Sequence, residues 1–133
     1  MSNRSQLPEP GSPEDWLRFA KSDLALSRMV NTPDVLLETL CFHAQQATEK
    51  SIKAVMVFCG IPFERTHNIK SLIEKLPPEY ALPNGLAAAA LTEYAVAMRY
   101  PGEREIIEIE EYHAVIAVAQ SVYDWAAGIV LAK

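Results

Sequence analysis

Four polar side chains recur along one edge of a largely apolar stretch of this sequence. They are His43, Gln46, Lys50 and Lys53, in CFHAQQATEKSIKAVMVF. The spacing i, i+3, i+7, i+10 gathers them into a narrow stripe if the segment is helical. Imidazole can give or take a proton near neutral pH, ammonium groups neutralise phosphate, and an amide can orient either. The stripe therefore suits a phosphate-bearing ligand. It equally suits a polar edge whose lysine tips reach water, or a contact with another subunit. Residue types alone leave these three readings open.

Two further places carry candidate chemistry. In GIPFERTH, His67 follows Arg65 and precedes a helix start, where free N–H groups and the helix dipole favour an anion; Arg65, Thr66, His67 and Asn68 could hold a phosphate there or simply cap the helix. In AMRYPGER, Arg99 sits in the last turn of a predicted helix, a position the dipole alone favours for a cation. Tyr100 beside it could stack on a base or an aromatic partner. Arg104 adds a second cation, but the acids at Glu103, Glu105, Glu108, Glu110 and Glu111 surround it, so the region is not a simple phosphate patch. His113 reads as a surface histidine.

Other chemistries find no support. HExxH, CxxC and paired Cys/His spacings are absent, so neither a metal nor another cofactor is implied. There is no GxSxG elbow, and neither cysteine has a basic neighbour that would activate it. Cys41 and Cys59 read as small core residues. Their separation of 18 positions corresponds to about 27 Å on one helix, too far for a disulfide. Two free thiols fit a reducing cytoplasm.

The elements that must position these residues are helices. Ser12 followed by Pro13, Glu14 and Asp15 marks a helix start, running to about Val30 with Trp16, Phe19, Ala20, Leu24 and Ser27 on its inner face. A second helix is predicted from Asp34 to Cys59, ended by Gly60. Its wheel puts Leu36, Leu37, Leu40, Cys41, Ala44, Ala47, Ser51, Ala54, Val55, Phe58 and Cys59 on the core side, and Phe42, Met56 and Val57 on the far side. A short third helix covers Ile69–Leu76. A fourth runs from Pro83 to about Tyr100, and a fifth from Ile107 to Leu131. No segment alternates as a strand does. The pattern predicts an all-α, up-and-down bundle of four long helices plus one short helix, occupying residues 12–133 behind a flexible tail at 1–11.

Composition narrows the partners. The chain has 133 residues, half of them apolar, which is enough for one adequate core. Seventeen acids against twelve bases give a net charge of −5. That argues against bulk electrostatic binding of nucleic acid, though not against a local basic site. No apolar run resembles a signal peptide or reaches the length of a membrane span.

Taken together and in order, WLRFAKSDLALS, CFHAQQATEKSIKAVMVFCGIPFERTHNIKSL and LTEYAVAMRYPGE resemble the HEPN domain family over about residues 14–130. The resemblance implies a helical bundle of this kind, usually a homodimer. It often implies a separate partner, a small MNT-type nucleotidyltransferase, in a toxin–antitoxin-like pair, and a nucleotide or RNA as ligand. Many members are metal-independent RNases carrying an R-x(4–6)-H motif. Arg99 is the best local match to that arginine, but the positions where the histidine would fall hold Arg104, Glu105 and Ile106. The motif is absent, so the usual acid–base partner for a ribose 2′-hydroxyl is missing. The resemblance favours a nucleotide- or RNA-binding module using His43, Gln46, Lys50, Lys53, His67, Arg99 and Tyr100. The alternatives are an RNase whose base is His43, His67 or His113, and a purely structural helical adaptor.

Overall fold

The computed structural model describes residues 6–97 and 106–132. Among these, the regular elements are helices: α1 Pro13–Ser27, α2 Leu37–Phe58, α3 Ile69–Ile73, α4 Gly85–Ala90, α5 Thr92–Ala97 and α6 Ile109–Val130, with a 3₁₀ turn at Pro78–Tyr80. The expected all-α bundle is present, with α2 at its centre, packed on α1 along one side and α6 along another.

Each long helix starts or stops for a local reason. The Ser12 hydroxyl accepts from the Asp15 N–H at 3.2 Å, and Pro13 takes the first helical position. α1 ends three residues before Val30, and the chain then turns through Asn31 and Asp34, both at positive φ (68° and 65°). Asn and Asp are among the few non-glycine residues that tolerate that region, which is why α2 begins at Leu37 rather than Asp34. At its other end, Gly60 adopts φ 71°. The Ile61 N–H reaches back to Met56 O at 2.9 Å and the Gly60 N–H to Val57 O at 3.0 Å. This paired closure of a helix C-terminus needs a left-handed residue, and glycine supplies it without strain.

The predicted fourth helix is divided. α4 and α5 meet at Leu91, where the Leu91 and Tyr94 N–H groups bond three residues back, to Ala88 O (3.1 Å) and Leu91 O (3.0 Å), as in a tightened 3₁₀ turn. Just past this junction, the Thr92 hydroxyl accepts the Ile69 N–H at the start of α3 (3.0 Å). The third helix is also shorter than expected, ending at Ile73.

The core gathers around α2. Ile52, Met56, Ile69, Leu72 and Val122 are fully buried with Cys41, Ala44 and Ala47. Met56 was expected on the far side of α2; it is buried because α2 has neighbours on more than one side. Phe58, expected in the core, is 45% exposed and packs edge-to-face with Tyr80, ring centroids 6.2 Å apart. Phe19 likewise lies half outside, at 50% exposure, although the wheel of α1 places it on the inner face. The Tyr112 hydroxyl donates to Ser27 O at 2.6 Å, fixing the start of α6 against the end of α1.

Candidate functional site

The polar stripe on α2 is not a solvated edge. Each cation or imidazole in it meets a carboxylate, and those two carboxylates, Asp23 and Glu49, are themselves buried. On the α1 side, Asp23 Oδ1 lies 2.9 Å from His43 Nδ1, and Asp23 Oδ2 accepts from Lys50 Nζ at 2.6 Å. On the loop side, Glu49 Oε1 lies 2.7 Å from His67 Nδ1, and Glu49 Oε2 accepts from Lys53 Nζ at 2.9 Å. The same unit thus occurs twice: one carboxylate bridging a histidine Nδ1 and a lysine ammonium. An ionised carboxylate can only accept, so each contact places a proton on Nδ1.

Local folding explains the pairs. Glu49 and Lys53 are one turn apart on α2, the spacing at which an acid and a base meet. Asp23 arrives from α1, and His67 from the loop that Gly60 turns back along α2. A burial gradient runs through the second unit: the Glu49 and Lys53 side chains are 5% and 7% exposed, and His67 is 48% exposed. Lys53 does not extend its tip to solvent, as a lysine at a polar edge would. Its ammonium also reaches Thr66 O at 3.3 Å and lies 5.7 Å from the Trp16 ring and 5.3 Å from the Phe63 ring. Those faces favour a cation. Gln46 donates to Gln45 Oε1 at 2.7 Å and Gln45 to Glu49 Oε1 at 3.1 Å, so the amides extend the network along α2. No buried side-chain nitrogen or oxygen among the described residues lacks a partner.

The structure therefore brings together five of the expected residues, His43, Gln46, Lys50, Lys53 and His67. Arg99 and Tyr100 lie outside the described residues. The capping alternative holds at the GIPFERTH turn. The Asn68 N–H bonds Thr66 Oγ1 (3.0 Å), Asn68 Oδ1 accepts from Ser71 N (3.3 Å), and the Ile69 N–H is taken by Thr92. Those N–H groups are already satisfied, so a phosphate there would have to displace them. Residue type does not mark Asp23 and Glu49 as buried, since acids are seldom buried unless paired. The i, i+4 spacing of Glu49 and Lys53 was the one signal available; nothing in sequence separation links Asp23 to His43.

Beside the seam lies a cleft of about 320 Å³ between the start of α1 and the middle of α2, lined by Gly11, Asp15, Trp16, Phe19 and Lys50. Asp15 accepts from the Gly11 N–H (3.0 Å) and from Arg18 Nε and a terminal guanidinium nitrogen (3.2 and 3.0 Å). The Gly11 bond first, then Arg18, hold its carboxyl below the usual range.

The cysteines differ more than their sequence suggests. Burial, followed by the Glu111 and Glu38 carboxylates, pushes the Cys41 thiol up to about 12. Cys59 is only partly buried. The thiolate is the reactive form, so iodoacetamide at pH 8 should alkylate Cys59 alone in the folded protein. Cys41 should react only after denaturant is added, which peptide mass mapping will read. Alkylation of both at equal rates would contradict this placement.

Among the described residues, no three or more His, Cys, Asp or Glu side chains are grouped to hold a metal ion, and no helix is long and apolar enough to cross a membrane.

The fold and its central polar seam define a small helical-bundle module. A HEPN domain model matches residues 13–129, and the chain belongs to the HEPN family. Two solved structures are similar. One is TT1696 from Thermus thermophilus, with 25% identity over 87% of this chain and 96% of that one, at a TM-score of 0.73. The other is ST0689, described as an archaeal HEPN homologue, with 27% identity over 90% and 98% of the two chains, at a TM-score of 0.68. No curated protein gives a significant match. Family membership supports a nucleotide- or RNA-related role for this helical module.

Proposed function

We propose that the chain is a nucleotide- or RNA-binding HEPN module that works as a cytoplasmic homodimer beside a separate MNT-type nucleotidyltransferase. The observation that carries this reading is the doubled carboxylate–histidine–lysine unit along α2, with His67 half exposed at its edge. Buried carboxylates hold the cations in fixed positions, so a phosphate meets donors that need little reordering. Lys50 donates to the phosphate, and so do the Nε2–H groups of His43 and His67 in their imidazolium form, because each Nδ1 already gives its proton to a carboxylate; Gln46 sits on the same stripe of α2. On this reading Arg99 and Tyr100 add a second cation and a stacking ring. Lys53 is a support for Glu49 rather than a ligand contact.

Calorimetric titration with adenosine monophosphate and with a short single-stranded RNA tests the reading. Saturable binding to wild type, weakened about tenfold or more in Lys50→Ala and in His67→Ala, is expected; loss of a charge-assisted contact is worth about 1.5–3 kcal/mol. Binding that is equal in wild type and both variants removes the seam from the account.

A second reading has its own observation in its favour. A histidine whose Nδ1 is held by a carboxylate presents Nε2 as a general base, the arrangement used in nucleophilic and acid–base catalysis. His43 and His67 both have it. On this reading the chain is a metal-independent RNase with a non-standard histidine. Cleavage of RNA in EDTA that disappears in His67→Ala or His43→Ala would establish it.

A further inference from the structure

Gln46 stands within the stripe, and the end of its amide that a ligand meets is fixed from inside the bundle. The chain of bonds starts at Glu49. A carboxylate only accepts, and Glu49 Oε1 already takes His67 Nδ1 at 2.7 Å. Gln45, which is fully buried, turns its amide nitrogen to that same oxygen at 3.1 Å. Its carbonyl oxygen then points the other way and accepts from Gln46 Nε2 at 2.7 Å. With its nitrogen committed to Gln45, the planar amide of Gln46 turns its own oxygen away from Gln45. Gln46 is half-buried, and no described residue donates to that oxygen. Reversing either amide would set two acceptors against each other, at Glu49 or at Gln45, so the network itself assigns both orientations.

We propose that the Gln46 carbonyl is a specificity-determining acceptor, and that the seam prefers a phosphate group with a hydrogen-bond donor beside it. This rests on the phosphate-binding reading above and adds what must accompany the phosphate. Gln46 lies three residues after His43 and four before Lys50 on α2, so the Cβ atoms of neighbours on the stripe are about 5–6 Å apart. Both neighbours donate to the phosphate on that reading. A phosphate held between them brings its own oxygens, which are acceptors, against the Gln46 oxygen. That carbonyl is then shut off from water without a partner, a cost larger than an ordinary hydrogen bond gains. A ligand that places an O–H at this point removes the conflict. Two chemistries put a donor so close to phosphate: a hydroxyl on the carbon next to the phosphate-bearing one, and the P–OH of a singly protonated phosphate. Sulfate at neutral pH has neither. A site built to bond a hydroxyl discriminates against the analogue that lacks it.

Calorimetric titration of the purified full chain with adenosine 3′-monophosphate and with its 2′-deoxy counterpart reads the first chemistry, since the two differ only in the neighbouring hydroxyl. Competition by inorganic phosphate against sulfate reads the second. Wild type should bind the hydroxyl-bearing nucleotide about three- to tenfold more tightly than the deoxy form, the worth of one hydrogen bond. In Gln46→Met the preference should disappear, because Met keeps the helix propensity and approximate length of Gln but has no carbonyl. Gln45→Met should also abolish it, with affinity for the deoxy form unchanged, because the Gln46 amide is then free to turn. A role for Gln45 in stability alone would weaken both nucleotides equally and leave their ratio intact.

A preference for the hydroxyl-bearing nucleotide that both variants lose supports the proposal with the hydroxyl as donor. Equal binding of the two nucleotides, with phosphate displacing them better than sulfate in wild type but not in Gln46→Met, supports it with P–OH as donor. Saturable binding without either preference, or a preference that survives in Gln46→Met or Gln45→Met, overturns it and leaves the phosphate seam standing. Absence of binding by all four probes at millimolar concentration overturns the seam reading and this proposal together.

Discussion

Glu49→Ala should lower the unfolding free energy by about 3–5 kcal/mol, the usual effect of leaving a buried charge without its partner. The reason lies in Lys53. Its side chain is 7% exposed, and its ammonium lies 2.9 Å from Glu49 Oε2. Without the carboxylate it keeps one carbonyl, Thr66 O, and two ring faces, which do not replace a counter-ion. Gln45 and His67 lose an acceptor at the same time. Set against a typical stability of about 5–15 kcal/mol, the loss is large, and urea unfolding will measure it. The double variant Glu49→Ala/Lys53→Met is the informative control. It removes the stranded charge and keeps an apolar stem against Trp16 and Phe63, so it should recover much of the loss. A loss below about 1 kcal/mol in the single variant would mean that the pair behaves as a surface ion pair, and the buried seam would be wrongly described.

Met56→Ala should cost about 2–5 kcal/mol, as deletion of a fully buried methionine side chain does. Phe58→Ala should cost less, although phenylalanine is the larger residue. Met56 is wholly enclosed, whereas Phe58 is 45% exposed and pairs edge-to-face with Tyr80. The comparison is a direct test of how α2 is rotated in the bundle. A Phe58 variant less stable than the Met56 variant would reverse the assigned rotation.

That pair of residues also marks what the sequence could and could not reveal. Helix positions were largely legible, because Ser12-Pro13, Gly60 and the prolines are local signals with local causes. The all-α bundle and the HEPN resemblance followed from the same stretches. The rotation of α2 was not legible. Its residues are apolar nearly all round, so a wheel built on one preferred face put Met56 outside and Phe58 inside, the reverse of their burial. The division of the fourth helix at Leu91 was hidden as well, since it coincides with a bond between Thr92 and the start of α3, a contact across 23 residues.

The candidate site was half legible. The spacing of His43, Gln46, Lys50 and Lys53 showed a stripe, and its need for water, a carboxylate or a ligand followed from the cost of burying charge. Which of these supplied the need depended on Asp23, 20 positions from His43, and on the loop that returns His67 to Glu49. At Lys53, where residue type left a solvated tip, a subunit contact and a ligand contact open, the structure places a buried ammonium paired with Glu49 and close to two aromatic rings.

The central claim is that the seam along α2 binds phosphate-bearing ligand. Its most direct test is incubation of the purified full chain with single-stranded RNA in EDTA, beside His67→Ala, reading both the fraction retained and the length of the RNA. Retention of intact RNA by the wild type, lost in His67→Ala while the variant stays folded, is the predicted result. A folded wild-type protein that retains no RNA at any concentration where the variant also retains none would contradict it, and would leave the polar seam as a clamp between α1, α2 and the loop.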